Sequence, residues 1–377
     1  MVLVTPRVSL AGHPANKGVR GMRTRGKTII AAAAAALLLL GGAVTPAQSA
    51  TKPAGAIQPM SSYAGVVDFA LSPDGSTAYV TTEKRGVDVV DTATGKRKAR
   101  IDMAARADLA LSPDGRVLVA GNWYPNAGHR VHVISTATKK IVRTIAPKAV
   151  RGQGSSMVFG PSGVGVYLTN STTVQILNTR TGAVRTLMTF PQFSVDWPGD
   201  VLPTSDGRRL YVIDSSPMDG KPRLWAINAK TGEIGKRIDL WKAGSPVVEA
   251  GASFSKNGKA LYIPAGDIDG LVRLLVYRIP EATLARTIEL GDLGSPEGVV
   301  ASNDARSLFV ADLPNGGVSK IVASSGVVTD QQPVGKWLRE IEISRDGSTL
   351  AVIDITADDL DDIRYEDVLL RFLKTGE

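Results

Sequence analysis

Short apolar runs alternate with turn-forming hexapeptides along residues 60–377. Residues 70–75 read ALSPDG, and residues 110–115 repeat the same six letters. Degenerate copies follow at spacings of 40 to 51 residues, and the seven copies end at Gly75, Gly115, Gly163, Gly207, Gly258, Ala305 and Gly347. Each copy lies between two runs of strand length, as VVDFALS and STAYVTT do around the first. Each copy therefore predicts a turn between two strands.

A second corner recurs in the other half of each unit, as VDVVDTATGK, VQILNTRTGA and LWAINAKTGE show. A Thr-x-Thr-Gly corner favours a hairpin because glycine accepts the positive φ at the turn exit. Each unit therefore holds four strands. Four antiparallel strands every 40 to 50 residues is the period of a β-propeller blade, and seven such units close a ring. The pattern predicts an all-β, seven-bladed β-propeller.

The last unit is one strand short. It supplies LREIEIS, STLAVIDI and DVLLRFLKT, and no fourth apolar run follows before Glu377. The segment AGAIQPM at 54–60 precedes the first inner strand and has no other assignment. We expect this segment to pair with the third strand of the last blade, because that closure would cover the sheet edge of an open ring.

The repeats resemble the YVTN-type propeller repeat of secreted bacterial and archaeal proteins. The likeness rests on SPDGSTAYVTT and VVDTATG in the first blade and on LYVID and INAKTG in the fourth. More distantly, the chain resembles the propeller lactonase family, through the shared repeat and without a matching catalytic motif. The resemblance implies the architecture of residues 60–377. It implies no single activity, because propellers include enzymes, binding modules and scaffolds.

The N-terminal 50 residues have the layout of a secretory signal. RTRGK at 23–27 is basic, the run at 28–44 is apolar, and TPAQSA at 45–50 is rich in small residues. This order predicts a signal peptide over residues 1–50 and a secreted mature domain over 51–377 that is not an integral membrane protein. An uncleaved anchor is the alternative, although 17 apolar residues are short for a membrane span. The true start, Met1 or Met22, stays open.

Most of the net charge of +8 comes from the leader. Six of the 44 Lys and Arg residues lie in residues 1–50, which leaves 38 basic against 36 acidic residues. This balance gives no reason to expect a nucleic-acid partner. The chain has no cysteine, so disulfides and thiolate metal sites are excluded. We expect a monomer held together by its core and by ring closure.

The predicted topology gives the ring two different faces. The first-to-second and third-to-fourth strand turns share one face, here called the turn face, and they repeat SPDG-like and TxTG corners. The remaining connections form the opposite loop face, where length and chemistry vary between blades. Loops that depart from a repeat commonly carry function. The candidate ligand-binding side chains of these loops are Trp123, Tyr124, His129, Trp197, Trp241 and Trp337. The alternative for the tryptophans is that they cover the apolar ends of the blades.

Two rings of mainly polar residues are expected at the channel mouth on the loop face. Seven positions before each anchor residue lie Asp68, Asp108, Ser156, Asp200, Gly251, Gly298 and Glu340, and seven positions after it lie Thr82, Asn122, Asn170, Asp214, Ala265, Asp312 and Asp354. These oxygens either cap backbone N–H groups or attract a cation such as calcium or a polyhydroxy ligand. The acidic run from Asp354 to Asp362 and the DIDG at 267–270 lack the spacing of a known calcium loop. No cofactor is predicted.

Catalytic chemistry has little support in the sequence. The mature chain has two histidines, His129 in a loop and His132 in the strand-like VHVIS, and it has neither G-x-S-x-G nor H-E-x-x-H. We therefore favour a binding module for a protein, a glycan or a small molecule. The alternative is an extracytoplasmic propeller enzyme, either a lactonase-like hydrolase that uses His129 with a carboxylate or a quinoprotein-like enzyme.

Overall fold

The computed structural model describes residues 55–82, 84, 86–103, 108–122, 130–145, 154–170, 173–190, 198–214, 221–240, 247–248, 251–266, 272–291, 293, 296–312, 315–358 and 363–376. Its strands form seven separate antiparallel sheets, and every sheet is one blade of a closed ring. The prediction of a seven-bladed propeller is confirmed. Within the described ranges, no helix is long and apolar enough to span a membrane.

The first four blades each have four strands that follow one another in the chain and pair in that order. Blade 1 comprises β2 (Val66–Leu71), β3 (Thr77–Thr82), β4 (Val87–Asp91) and β5 (Arg97–Ile101). Blade 2 comprises β6 (Asp108–Leu111), β7 (Val117–Asn122), β8 (Arg130–Ser135) and β9 (Lys140–Ile145). Blade 3 comprises β10 (Gly154–Phe159), β11 (Gly165–Asn170), β12 (Thr173–Asn178) and β13 (Val184–Thr189). Blade 4 comprises β14 (Pro198–Pro203), β15 (Arg209–Asp214), β16 (Arg223–Asn228) and β17 (Ile234–Asp239).

Blade 5 differs because its inner strand is divided into β18 (Val247–Val248) and β19 (Ser253–Phe254). Both segments pair with β20 (Ala260–Gly266), which β21 (Val272–Arg278) and β22 (Thr283–Glu289) follow. Gly251, between the two segments, has a φ of +83°. A Cβ there would lie 2.6 Å from the Cα of Gly298 in the next blade, so only glycine permits this close approach of two inner strands.

Blade 6 is regular, and blade 7 is completed from the other end of the chain. Blade 6 comprises β23 (Pro296–Ala301), β24 (Ser307–Asp312), β25 (Gly317–Val322) and β26 (Val328–Pro333). Blade 7 comprises β27 (Trp337–Ile343), β28 (Thr349–Ile355), β29 (Val368–Lys374) and, as its outer strand, β1 (Gln58–Ala64). A 3-10 turn at Tyr365–Asp367 precedes β29.

The closing strand pairs with the third strand of blade 7, as predicted, but it lies four residues further along than the predicted 54–60. Its register runs from Gln58 opposite Lys374 to Ala64 opposite Leu369. The residues just before it are used for anchoring instead. The backbone N–H of Ile57 donates to Asp330 of blade 6 at 2.7 Å, and the Ile57 side chain is fully buried between blades 6 and 7.

The seven repeated turns adopt one backbone conformation. The six anchor glycines have φ between +66° and +81°, and Ala305 adopts +59° at the equivalent place. Each anchor N–H donates to the backbone carbonyl three residues earlier, as Gly75 does to Ser72 at 2.9 Å. A Cβ on Gly75 would collide with the side chain of Thr349 in blade 7. The glycine at position 75 is therefore required by both its φ and its contact with the neighbouring blade.

Buried apolar side chains of the described residues form seven clusters, one between each pair of neighbouring blades. Phe69 of blade 1 packs with Ile353 of blade 7, and Tyr211 of blade 4 packs with Leu261 of blade 5. The core is thus distributed around the ring. Opening the ring at one interface would expose an apolar face on each of the two blades beside it.

Candidate functional site

The turn face uses its polar side chains to build the turns themselves. The Ser72 hydroxyl donates to the Asp74 carboxylate at 2.6 Å and accepts from the Thr77 N–H at 2.9 Å. This hydroxyl bond lowers the pKa of Asp74, and the hydroxyls of Ser112, Thr204 and Ser302 do the same for Asp114, Asp206 and Asp304. These carboxylates are ionised and committed to local hydrogen bonds.

Carboxylates at the predicted channel mouth join neighbouring inner strands. Asp68 is fully buried, and its Oδ2 accepts the backbone N–H of Leu109 in blade 2 at 2.6 Å. Asp200 does the same for Ala252 in blade 5 at 2.7 Å. An inner strand has a sheet neighbour on one side alone, so some of its N–H groups need such acceptors.

The other members of the first ring occupy equivalent inner-strand positions. Asp108 is 5% exposed, and Glu340 is half-buried. In blade 5, where Gly251 replaces the carboxylate, its backbone carbonyl accepts the N–H of Val299 at 2.9 Å. Blades 4 and 5 thus use different groups, a side chain and a backbone carbonyl, for the same type of contact with the following inner strand.

Three carboxylates of the second ring are fully buried at the ends of the second strands: Asp214, Asp312 and Asp354. Asp354 accepts hydrogen bonds from the Lys336 N–H at 2.8 Å and from the Arg371 Nη2 at 2.6 Å. Asp312 accepts from the Asn315 side chain at 2.6 Å. In the described part of this ring, the polar groups make structural contacts within the blades.

Trp337 is the one candidate tryptophan of the loop face that the structure describes. Its ring is partly buried against the apolar cluster between blades 7 and 1, and its Nε1 donates to the Ala357 carbonyl at 3.1 Å. The Lys336 ammonium lies 5.9 Å from the ring centroid. Trp337 therefore covers the loop-face end of this blade interface and stays partly exposed.

Five predicted site residues lie outside the described residues: Trp123, Tyr124, His129, Trp197 and Trp241. The other histidine, His132, is buried in β8, and its Nδ1 lies 3.0 Å from the Thr144 hydroxyl. Burial lowers the pKa of His132, and the charge of Arg130 adds to that shift. A neutral imidazole paired with a threonine fits a packed strand position, as the sequence predicted.

The central channel contains a cavity of about 150 Å³ beside the inner strands of blades 7, 1, 2 and 3. Its lining residues are Ala70, Leu71, Leu109, Ala110, Leu111, Met157, Val158, Phe159 and Glu342. Apolar side chains predominate, with one carboxylate among them.

At the turn face, two cations bridge blades that are not neighbours. Lys256 Nζ donates to the Arg345 carbonyl, and the Arg345 guanidinium to the Pro113 carbonyl, both at 2.7 Å.

Sequence reasoning missed an ion pair near the channel mouth. Arg339 Nη1 lies 3.2 Å from Glu297 Oε2, and both side chains are about five-sixths buried, with exposures of 17% and 15%. Glu297 directly precedes Gly298 of the first ring, and Arg339 directly precedes Glu340 of the same ring. Arg339 lies between Leu338 and Glu340 on β27, and nothing in that local sequence indicates that its partner belongs to blade 6.

A metal site receives no support from the described residues, among which no group of three or more His, Asp or Glu side chains could hold an ion. In the acidic run of blade 7, Asp354 binds Arg371, and Asp358 pairs with Lys336 at 2.7 Å. Asp359, Asp361, Asp362 and the DIDG at 267–270 lie outside the described ranges. The cation hypothesis for the mouth stays a prediction.

The comparisons with known proteins establish the fold. No family model matches the chain, and no curated protein matches its sequence. Among solved structures, it is similar to Kuenenia stuttgartiensis hydrazine synthase, with a TM-score of 0.63, 16% identity, and coverage of 82% of this chain and 96% of that chain. It is also similar to the β-propeller domain of Myceliophteria thermophila Cps50 (Swd1), with a TM-score of 0.63, 13% identity, and coverage of 84% and 98%. The YVTN-type and lactonase resemblances stay predictions.

Proposed function

We propose that this propeller is an exported binding module that recognises a protein, glycan or small-molecule partner through its loop face. The observation that carries the proposal is that the repeated polar side chains are used in hydrogen bonds within the propeller. Asp74 and its counterparts build turns, and Asp68 and Asp200 cap inner strands. The varied side chains for recognition therefore come from the connections of the loop face.

The tryptophans of these connections fit such a role. Trp123, Trp197 and Trp241 occur in loops that share no repeat pattern, and tryptophan is enriched among residues that dominate binding energy. The likeness to YVTN-type repeats of secreted proteins supports export, as does the signal-like leader. The propeller likeness leaves the class of partner open among the three named above.

The test starts with the mature chain, residues 51–377, in a glycan screen and a pull-down, followed by titration of any captured ligand. Trp123→Ala, Trp197→Ala or Trp241→Ala is expected to cost about 2 kcal/mol of binding free energy, with little change in melting temperature. Trp337→Ala is expected to lower the melting temperature, because its ring packs against a buried cluster and donates to Ala357.

The matched control is Arg116→Ala on the turn face, whose side chain is 85% exposed. It should bind like the parent chain. A ligand lost with Arg116→Ala but kept in all three loop tryptophan variants would contradict the proposal. A lactone-hydrolysis assay on the same preparations separates the enzymatic alternative, because turnover abolished by His129→Ala would favour the lactonase-like function.

A further inference from the structure

Basic and acidic residues are nearly equal in number in residues 51–377, but they are unevenly distributed along the sequence. No Asp or Glu occurs from residue 115 to residue 195, from just before β7 to beyond the end of β13. This stretch carries nine basic residues: Arg116, Arg130, Lys139, Lys140, Arg143, Lys148, Arg151, Arg180 and Arg185. The rest of residues 51–377 has 29 Lys and Arg against 36 Asp and Glu. Positive charge is therefore concentrated on most of blades 2 and 3.

The outer strands β9 and β13 and the turn 178–183 contain basic residues but no Asp or Glu. Arg143 of β9 donates to the Arg180 carbonyl at 2.8 Å at the boundary of blades 2 and 3, and Lys140 lies on the same strand as Arg143. In blade 1, by contrast, Lys98 pairs with Asp91 at 2.8 Å and Arg100 with Asp88 at 3.2 Å. Charge at the boundary of blades 2 and 3 is thus available to an acidic partner.

The outer strand of blade 2 also offers a backbone edge. β9 pairs with β8 alone, and its residues from Lys140 to Thr144 are all exposed. Ile141 and Val142 are 37% and 63% exposed, although both are apolar. Lysine on an edge strand commonly discourages unwanted strand pairing. That protective role explains Lys140, and the register shift that leaves Val142 without a partner on β8 accounts for its exposure. Neither feature requires an acid-free neighbouring blade.

We propose that the outer wall of blades 2 and 3, defined as β9, the turn 178–183 and β13, binds an extended acidic polypeptide that adds as a strand to β9. Backbone groups of the β9 edge would pair with the peptide, carboxylates would meet Lys140 and Arg180, and an apolar side chain would cover Val142. A sugar polyanion would use the charges but neither the strand edge nor the apolar side chains. This surface is separate from the loop face.

The test measures binding of a labelled peptide of alternating Glu and Val to residues 51–377 by fluorescence anisotropy. Binding is expected to weaken as salt rises, because the charges are exposed. The variant Lys140→Glu/Arg180→Glu should bind about tenfold or more weakly. Its matched control, Lys230→Glu/Lys259→Glu, changes the same charge at exposed positions of blades 4 and 5 and should bind within about twofold of the parent.

Two further probes test whether the peptide pairs through its backbone and whether a polyanion without a peptide backbone binds instead. The same peptide, N-methylated along its central stretch, cannot pair through either edge and should bind about tenfold or more weakly. If the methylated peptide binds as tightly as the unmethylated peptide, strand addition is wrong. If both charge variants lose the same affinity, the peptide does not bind at blades 2 and 3. Tight binding of dextran sulfate without measurable binding of the peptide would show that the surface takes a polyanion, which also overturns the proposal.

Discussion

Single carboxylates hold adjacent inner strands together, and Asp68 is the clearest case. It is fully buried and accepts the Leu109 N–H at 2.6 Å. Asp68→Ala would leave that N–H without this acceptor in a buried position. We expect a loss of about 1–3 kcal/mol in the free energy of unfolding, measured by urea denaturation of residues 51–377.

The control is Asp102→Ala, because Asp102 is exposed. Its unfolding free energy should stay within about 0.5 kcal/mol of the parent. Ligand affinity at the loop face should also survive Asp68→Ala in the folded fraction, since this carboxylate serves the backbone. An unchanged free energy of unfolding for Asp68→Ala would show that the hydrogen bond to Leu109 contributes no net stability. Asp68 would then again be a candidate for ligand binding.

Sequence spacing located these residues but left two roles open for them. Counting seven positions from each anchor placed Asp68, Asp200 and Asp354 at strand ends, and the structure shows each accepting a backbone N–H. The second partner of Asp354, Arg371, lies across the blade on β29. Nothing local in the sequence distinguishes Arg371 from other basic residues of the third and outer strands, so this contact could be identified only from the fold.

At the scale of elements, the closing strand β1 is fixed by more than its pairing with β29. The Tyr63 hydroxyl donates to Asp88 of blade 1 at 2.8 Å, and the Ser61 hydroxyl donates to the Thr92 carbonyl at 2.6 Å. Burial, together with the hydrogen bond to Asp88, raises the pKa of Tyr63 to about 12. The neutral phenol is therefore part of the ring closure.

The raised pKa of Tyr63 predicts an alkaline loss of stability. The unfolded chain releases this proton near pH 10 and the folded chain near pH 12, so the folded state binds more protons between these values. The stabilisation is complete below about pH 10 and is lost as pH rises through 12. The difference in unfolding free energy between the parent and Tyr63→Phe should be constant from about pH 6 to 9 and should shrink above about pH 10. A difference that is unchanged up to about pH 12 would contradict this assignment.

The outer strands carry a repeated contact that sequence analysis did not find. Arg143 of β9, Arg185 of β13 and Lys236 of β17 each donate to carbonyls in the third-to-fourth strand turn of the next blade. These three residues differ in side-chain type and in the residues that flank them, and exposed strands contain many other basic residues. No sequence pattern therefore marks the three. The anchor residues could be predicted because they recur with the same backbone requirement, which even Ala305 satisfies with a φ of +59°.

For the whole molecule, the seven apolar interfaces depend on one another because the ring is closed by strands from both ends of the chain. The first described contacts of the N-terminal segment are the Gly55 carbonyl with Lys320 at 3.0 Å and the Ile57 N–H with Asp330 at 2.7 Å. Removal of this segment would expose the β29 edge and one face of the core between blades 6 and 7. Cleavage before residue 55 would remove none of these contacts.

This arrangement predicts where the chain tolerates shortening. We expect signal cleavage at about residues 46–51, with an exported product whose closing strand is intact, as N-terminal sequencing would show. Deleting residues 51–54 should leave the melting temperature unchanged, whereas deleting 51–62 should lower it by about 10 °C or more, because several kcal/mol of strand pairing and apolar burial are lost. Equal melting of the two deletions would mean that the ring is stable without its closing strand. An exported chain that begins well before Ala47, or one retained in the membrane fraction, would instead refute cleavage while leaving the closure argument intact.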